Sequence, residues 1–480
     1  MKKIDLIILT VVLLVGLGLR LYKFDAPLSD LHSWRQADTA SVARNFEKYG
    51  YDLLHPYYDD LTPLQSGIEN PTGLRYVEFP IYNALFALPA QYIGVFPVEV
   101  WGRFVSIFFS LGLISVLYYL ALKESNRITA VFAAVTYAVF PFFVFFSRVV
   151  LPETMAIATM FFSIFFLYRF FHAKRISIQI LLFFASVLLF AISILVKPTT
   201  IFYALALFFL FLRKYQIQVL KQIPLYLFFL LGIIPFVGWR LFISQHPEAI
   251  PASSWLITTV NTYQGAENIF FKPAFFRWIF FERLNNMILG GYMTVFFVLG
   301  VLVKPKKFLL HAIILSGFVY LLTFQGGNVQ HEYYQTVFLP AVALAVGLGV
   351  SAIFSTLKAH IHAFPAGAIT AVVIVSSLFF SYYRIKDFYN NPQDLTQAAN
   401  LIQTFTKPYD KIITDRLGDT TLLYLSNRRG SPAVYKNISE MKKDGYQYLY
   451  TAKSDLIHEM SENKEYQAIF KNDNFAIFKL

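Results

Sequence analysis

Long apolar runs alternate with short polar connections along the chain as far as about residue 384, and there the pattern stops. Runs of that length read as helices crossing a bilayer. They fall near 4–19, 98–122, 128–146, 152–171, 178–196, 198–213, 222–243, 286–303, 308–324, 333–356 and 366–383, which predicts about eleven spans. A long polar stretch, 29–80, separates the first run from the rest. Beyond Arg384 charged residues become frequent, and the spacing predicts a helix over 395–405, strands over 411–414 and 447–451, and a final hairpin of 466–470 with 474–478 around Asn472 and Asp473. The expectation is an α-helical polytopic membrane protein with a small C-terminal α/β domain. Residues 1–384 form the membrane domain with an outer loop at about 20–98, and residues 385–480 form the soluble one. Neither a repeat of helix pairs nor a low-complexity tract is visible.

Composition sharpens this reading. The chain of 480 residues is 56% hydrophobic and 15% charged, with a mean hydropathy of +0.52, values that exclude an ordinary soluble protein. Its 52 Phe and 30 Tyr suit lipid-facing surfaces and interfacial belts. The formal charge of +12 comes largely from Lys and Arg in short alternate connections, 123–127, 174–175, 213–221, 304–307 and around Lys358. That distribution is a topology signal and does not point to nucleic acid. It places those connections in the cytoplasm, along with the N-terminus, where Lys2 and Lys3 precede a first run that lacks a small-residue cleavage site and is followed at once by Arg20 and Lys23. The opposite side receives the long polar stretch, the corner at 147–153, Lys197–Pro198, the loops 244–285 and 325–332, and the C-terminal domain. With no cysteine, thiolate zinc sites, disulfides and cysteine nucleophiles are excluded.

The long stretch carries the candidate chemistry. Over 33–49 the spacing predicts a helix with an apolar stripe of Trp34, Ala37, Val42 and Phe46 suited to the membrane surface, and a polar row of Arg35, Asp38, Ser41 and Asn45. From 50 to 77 Pro56, Pro63, Gly67, Pro71 and Gly73 predict irregular structure, and a helix restarts after Glu78, Phe79 and Pro80. Outer carboxylates are Asp30, Asp38, Glu78 and Glu153; outer cations are Arg35, Arg148, Lys197 and, when protonated, His331, next to Tyr333 and Tyr334. Carboxylates that take a proton and cations that hold a departing phosphate are what group transfer from a phosphate-linked donor needs, and charges at membrane depth usually face a cavity or a partner. Each residue also has a plain alternative. Asp38 could pair with Arg35 three residues away, Asp30 or Glu78 could cap a helix, and Arg148 could pair with Glu153. Lys197 could snorkel, and His331, Tyr333 and Tyr334 could belong to an aromatic belt. No metal-ligand spacing is present, so a divalent metal is admitted only through scattered carboxylates and histidine.

Taken in order, QADTASVARNF, the Glu-before-Pro of VEFPIY, FSRVVLPET, LVKPTT and HEYYQTVFLP resemble the GT-C superfamily of membrane glycosyltransferases, in the branch of protein O-mannosyltransferases and lipid A aminoarabinose transferases. Where that branch carries adjacent acids at the start of the loop helix, this chain has Arg35 and Gln36, with Asp38 and Asp30 displaced to either side. The resemblance implies transfer of a sugar from a polyprenyl-phosphate donor to a hydroxyl of a lipid, glycan or protein, with inversion, at the extracytoplasmic face of the plasma (inner) membrane. Asp38, Asp30 and Glu78 are then the catalytic candidates. Arg35, Arg148, Glu153, Lys197, His331, Tyr333 and Tyr334 are the substrate-binding candidates. The rival from another class is a transporter or flippase of a lipid-linked substrate.

Overall fold

The computed structural model describes residues 1–305 and 307–480; Lys306, inside the basic 304–307 connection, lies outside the described residues. Among them seven helices are long and apolar enough to cross a membrane, and Arg127–Val139, Met293–Leu302 and Leu309–Thr323 are shorter apolar helices. Lys3–Arg20 is helical as well. All the expected apolar segments are therefore helical, in an integral membrane protein.

Four expected spans are broken, each for a local reason. The run 128–146 is two helices, Arg127–Val139 and Pro141–Phe146, because Pro141 lacks the N–H that would continue the first. Pro198 likewise starts a tight turn, Pro198–Tyr203, before the helix Ala204–Tyr215. The run 286–303 divides into a wide-turned helix Arg277–Ile288 and the helix Met293–Leu302, with Gly290 and Gly291 between them at positive φ. The run 333–356 opens as a tight turn, Glu332–Val337, before Leu339–His360.

The chain divides into two compact units. The first comprises Met1–Phe24, Arg103–Arg240 and Ser253–Asp387. At its centre lies Leu339–His360, buried without interruption from Leu339 to Ser351. Small residues permit this burial. A Cβ on Gly349 would stand 1.8 Å from the Phe296 carbonyl oxygen, one on Gly300 would stand 1.7 Å from that of Ala345, and one on Gly347 would stand 2.5 Å from that of Thr129. Close backbone approach of this kind is how helices associate where no water drives them together.

The first helix is fastened to Arg127–Val139 at both ends. Asp5 pairs with Arg127 at 2.6 Å. Arg20, fully buried, donates to the carbonyls of Ala138 at 2.8 Å and Tyr137 at 2.9 Å and to Ser147 Oγ at 2.9 Å. Those two carbonyls are the ones the Pro141 break leaves without helical donors, so Arg20 caps a neighbouring helix from inside the protein.

The second unit comprises Asp25–Gly102, Leu241–Ala252 and Phe388–Leu480. A small hairpin in the first unit, β1 Thr259–Thr262 with β2 Gly265–Asn268, precedes the second unit's strands β3 Lys411–Ile413, β4 Gly430–Ser431, β5 Tyr446–Thr451, β6 Gln467–Lys471 and β7 Ala476–Lys479. These five form one sheet in the order β4-β3-β5-β7-β6. The first three are parallel, and β7 is antiparallel to both its neighbours. Gln393–Phe405 contributes Leu395, Ala398, Ala399 and Ile402 to one apolar cluster on the sheet, and Ile438–Lys443 and Ser454–Glu462 contribute Ile438, Met441, Ile457 and Met460 to another. The polar stretch joins the sheet beside β4: Gly430 N–H donates to Asp59 O at 2.9 Å and Leu61 N–H to Gly430 O at 2.8 Å.

Gly300→Ala or Gly349→Ala is expected to destabilise the protein by about 2 kcal/mol or more through backbone overlap. Gly18→Ala, whose Cβ would meet nothing within 4 Å, should be neutral or slightly stabilising. Thermal melts in detergent micelles check the contrast.

Candidate active site

The helix Ser33–Tyr49 follows His32, whose backbone is left-handed at φ +56 and serves as N-cap. Asp30 is therefore not the cap; its carboxylate accepts from Gln36 Nε2 at 2.6 Å. The expected polar row of Arg35, Asp38, Ser41 and Asn45 is buried, and so are Ala37, Val42 and Phe46 of the expected apolar stripe. The helix is thus enclosed by protein on most sides and does not rest one face on the membrane surface. Its polar row leaves it no choice, since buried polar groups must find partners.

Those partners build the site. Asp38, 1% exposed, is held at both oxygens: Oδ2 by Arg75 Nη2 at 2.8 Å and Oδ1 by the Thr420 hydroxyl, which donates at 2.7 Å. Arg35 does not pair with Asp38. It forms an ion pair with Glu78 and donates to Thr39 Oγ1 at 3.1 Å. Glu78 accordingly is not a helix cap; the helix Ile81–Tyr92 begins after Pro80. Arg35, Asp38, Thr39, Arg75, Glu78 and Asn83 line one cleft, whose free volume of about 20 Å³ is room for a water molecule and far too little for a sugar.

Behind the cleft the charges continue. The Arg75 guanidinium lies over the Tyr58 ring at 4.6 Å, and the Tyr58 hydroxyl donates to Asp60 Oδ2 at 3.3 Å. Asp60 Oδ1 accepts from Thr62 N–H at 2.9 Å and Thr62 Oγ1 at 2.6 Å. Burial pushes the Asp60 carboxyl up to about 7, with the Asp38 charge adding to the shift and the two Thr62 bonds opposing it. Burial raises the neighbouring Asp59 as well, against the pull of Arg44, its ion-pair partner.

In the first unit, Glu153 and Lys197 pair at 2.6 Å, both buried. Glu153 opens the helix Glu153–Phe170, where a negative charge suits the dipole. Lys197 sits in extended backbone between Ile176–Val196 and Pro198, its ammonium 5.4 Å from the Tyr334 ring centroid. Arg148 does not pair with Glu153; its guanidinium donates to the carbonyls of Tyr22 and, at 3.2 Å, Lys23, and Arg103 donates to Phe24 O at 2.7 Å. His331 lies flat on Tyr333, with centroids 5.4 Å apart and planes 10° apart, and edge-on to Trp255. Tyr333 and Tyr334 are 2% and 8% exposed, which makes them part of the interior and not of a belt. Glu332 pairs with Arg283. Among the described residues no group of three or more His, Asp or Glu side chains is placed to hold a metal ion.

The structure thus brings Asp38, Glu78 and Arg35 to one cleft, seats Asp30 against Gln36, groups Lys197 with Glu153 and Tyr334, stacks His331 on Tyr333, and gives Arg148 to backbone carbonyls. Sequence reasoning missed Arg75, Asp59, Asp60, Arg283 and Thr420. Adjacent acids between Pro56 and Pro63, and an Arg three residues before Glu78, were available signals; Thr420 offered none.

Three comparisons with known proteins bear on this arrangement. A family model described as dolichyl-phosphate-mannose-protein mannosyltransferase matches residues 80–239. Among solved structures, ArnT from Cupriavidus metallidurans bound to undecaprenyl phosphate is similar with a TM-score of 0.70 and 11% identity, over 98% of this chain and 97% of that one. The archaeal oligosaccharyltransferase AglB from Archaeoglobus fulgidus, in complex with an inhibitory peptide and a dolichol-phosphate, is similar with a TM-score of 0.57 and 12% identity, over 94% of this chain and 69% of that one. No curated protein matches by sequence. The fold is that shared with these solved structures.

For Asp60 the sign of the pH effect is fixed. A carboxyl with a folded value near 7, against an ordinary 3.8, binds more protons folded than unfolded. Its contribution to stability is therefore full below about pH 4 and is lost as pH rises through about 7. Asp60→Asn, which imitates the protonated acid, is expected to raise the melting temperature more at pH 8 than at pH 5.5. Equal shifts at the two values would refute the assignment.

Proposed function

We propose that this GT-C-fold protein is a glycosyltransferase that moves a sugar from a polyprenyl-phosphate donor to an acceptor hydroxyl, with inversion. In this reading it lies in the plasma (inner) membrane with the N-terminus in the cytoplasm and the polar stretch outside. Residues 1–384 carry the transfer chemistry, and 385–480 form the appended domain that supplies Thr420. The observation that carries the reading is Asp38: a carboxylate buried in a cleft, with Arg75 at one oxygen and Thr420 at the other, in the segment leading to the matched residues 80–239. The donor class is taken from the similar ArnT and AglB, bound to undecaprenyl phosphate and dolichol-phosphate respectively.

The acceptor oxygen attacks the anomeric carbon as Asp38 accepts its proton. The bond from that carbon to the phosphate oxygen breaks, and polyprenyl phosphate leaves with the electron pair. Arg75 and Thr420 orient the Asp38 carboxylate, and general-base assistance of this kind contributes about 10²–10⁴ in rate. Glu78, bridged to Arg35, closes the cleft, so a sugar enters only when that bridge opens. Asp30 stands as the second candidate base. Lys197 with Glu153 and Tyr334, and His331 on Tyr333, are assigned to the donor phosphate, whose charge grows as it departs, while Arg148, expected to bind substrate, is held by the carbonyls of Tyr22 and Lys23.

In proteoliposomes, with release of free polyprenyl phosphate as the readout, Asp38→Asn is expected to lower kcat at least about 100-fold and Asp30→Asn by far less. Full activity in both variants would remove the proposed base. Passage of intact donor between leaflets with no phosphate release would show transport instead. Thr420→Val should cost about tenfold in kcat, the value of a hydrogen bond to a charged group, while Thr420→Ser keeps the activity.

A further inference from the structure

Another concavity in the second unit is far larger than the Asp38 cleft, about 580 Å³ against about 20 Å³, and the two share no lining residue. It falls within the usual size of a ligand site. The loop helix Ser33–Tyr49 lies between them. Residues 35, 38, 39 and 42 turn to the cleft, while Arg44 and Glu47, on the far side of the helix at 100° per residue, turn to the larger groove.

The floor of this groove is locked in place. The Arg44 guanidinium lies 4.3 Å from the centroid of the Tyr424 ring, donates to Tyr424 O at 2.7 Å and forms an ion pair with Asp59. The Tyr424 hydroxyl donates to Glu99 at 2.7 Å. Arg44 is matched by Asp59, and the carboxylates of Glu47 and Glu99 share the groove with the Lys48 ammonium, which donates to Asn427 Oδ1, so the lining carries both signs of charge. Glu47 makes no hydrogen bond or ion pair among the described residues. Phe96 presents an aromatic ring at the wall, steadied by the edge of Trp101 at 5.9 Å. Asn427 completes the polar lining.

We infer that this groove binds a hydroxyl-rich glycan, the sugars of the acceptor remote from the reacting hydroxyl. The inference rests on the transferase reading for the word acceptor, but not for the site itself. Three features select the class. Ionised carboxylates accept hydrogen bonds and cannot donate them, which suits a ligand rich in hydroxyl donors. An extended peptide would need an open strand edge for its alternating donors and acceptors, and no sheet strand lines the groove. The half-buried Phe96 ring at the wall adds flat apolar surface for the C–H face of a sugar ring at little entropic cost. Binding energy collected here, away from the reacting atoms, is the kind that raises turnover when it positions a substrate.

The test uses the full chain in lipid nanodiscs without donor, and ligand-observed saturation-transfer NMR. The probes are a neutral N-acetylglucosamine tetramer, a galacturonic acid tetramer and an uncharged peptide of similar mass. The neutral tetramer is expected to bind, and the acidic one, whose carboxylates add no hydrogen-bond donor, no more tightly. Glu47→Gln and Phe96→Ala should each weaken the neutral tetramer at least fivefold with unchanged melting temperatures, and Asp38→Asn should bind it as the parent does. The inference is overturned if the neutral tetramer fails to bind at millimolar concentration, if the peptide binds in preference, or if Glu47→Gln leaves affinity unaltered. Loss of transfer in Asp38→Asn with binding intact separates this outcome from a failure of the transferase reading.

Discussion

A helix that stops inside an apolar interior leaves carbonyl oxygens with no donor, and no water is there to supply one. This chain stops its helices repeatedly, at Pro141, at Pro198 and after Arg20, and answers with buried cations. Arg20 serves the carbonyls of Tyr137 and Ala138, while Arg148 and Arg103 serve those of residues 22–24. Breaking helices and burying charge are two expressions of the same requirement. Lys197 stands at the Pro198 break, and its charge is balanced by Glu153, which itself begins a helix after Pro152.

The second unit meets the same requirement with side-chain pairs. A helix with both a polar row and an apolar stripe could have floated at an interface, but here it is enclosed, and its buried charges and their neighbours draw opposite ones toward them. Asp38 draws Arg75, Arg35 draws Glu78, and Arg44 draws Asp59. Among the described residues Asp60 has no cation at bonding distance, and burial, with the Asp38 charge adding to it, pushes its carboxyl up to about 7. Fixing one carboxylate firmly thus leaves another nearby in a less settled state of charge.

The large features were legible in the sequence because they rest on local periodicity. The apolar runs, the loop helix over 33–49, the irregular segment after it and the terminal hairpin all follow from residues adjacent in the chain. Breaks at Pro141, Pro198 and Gly290 blurred the span boundaries only because a continuous apolar run conceals them. What stayed hidden was pairing. Arg35 lies three residues from Asp38, yet its partner is Glu78, and Arg148 lies five from Glu153, yet it turns to backbone. Distance along the chain favours near neighbours, whereas burial selects whichever donor the fold delivers. Thr420 illustrates the limit, since nothing in DTTLLY distinguishes the threonine that reaches Asp38 from its neighbour.

The hydrogen bonds between Gly430 and residues 59 and 61 have an architectural consequence. They make the polar stretch an outermost rung of the C-terminal sheet, at a glycine where a Cβ would stand 1.9 Å from the Ile412 carbonyl oxygen. The sheet margin that would otherwise be open to a foreign strand is occupied by the chain's own segment. A homologous recombination that exchanged the tail for an unrelated domain would therefore have to bring a matching backbone edge with it, or the segment that bears the carboxylates would lose its register.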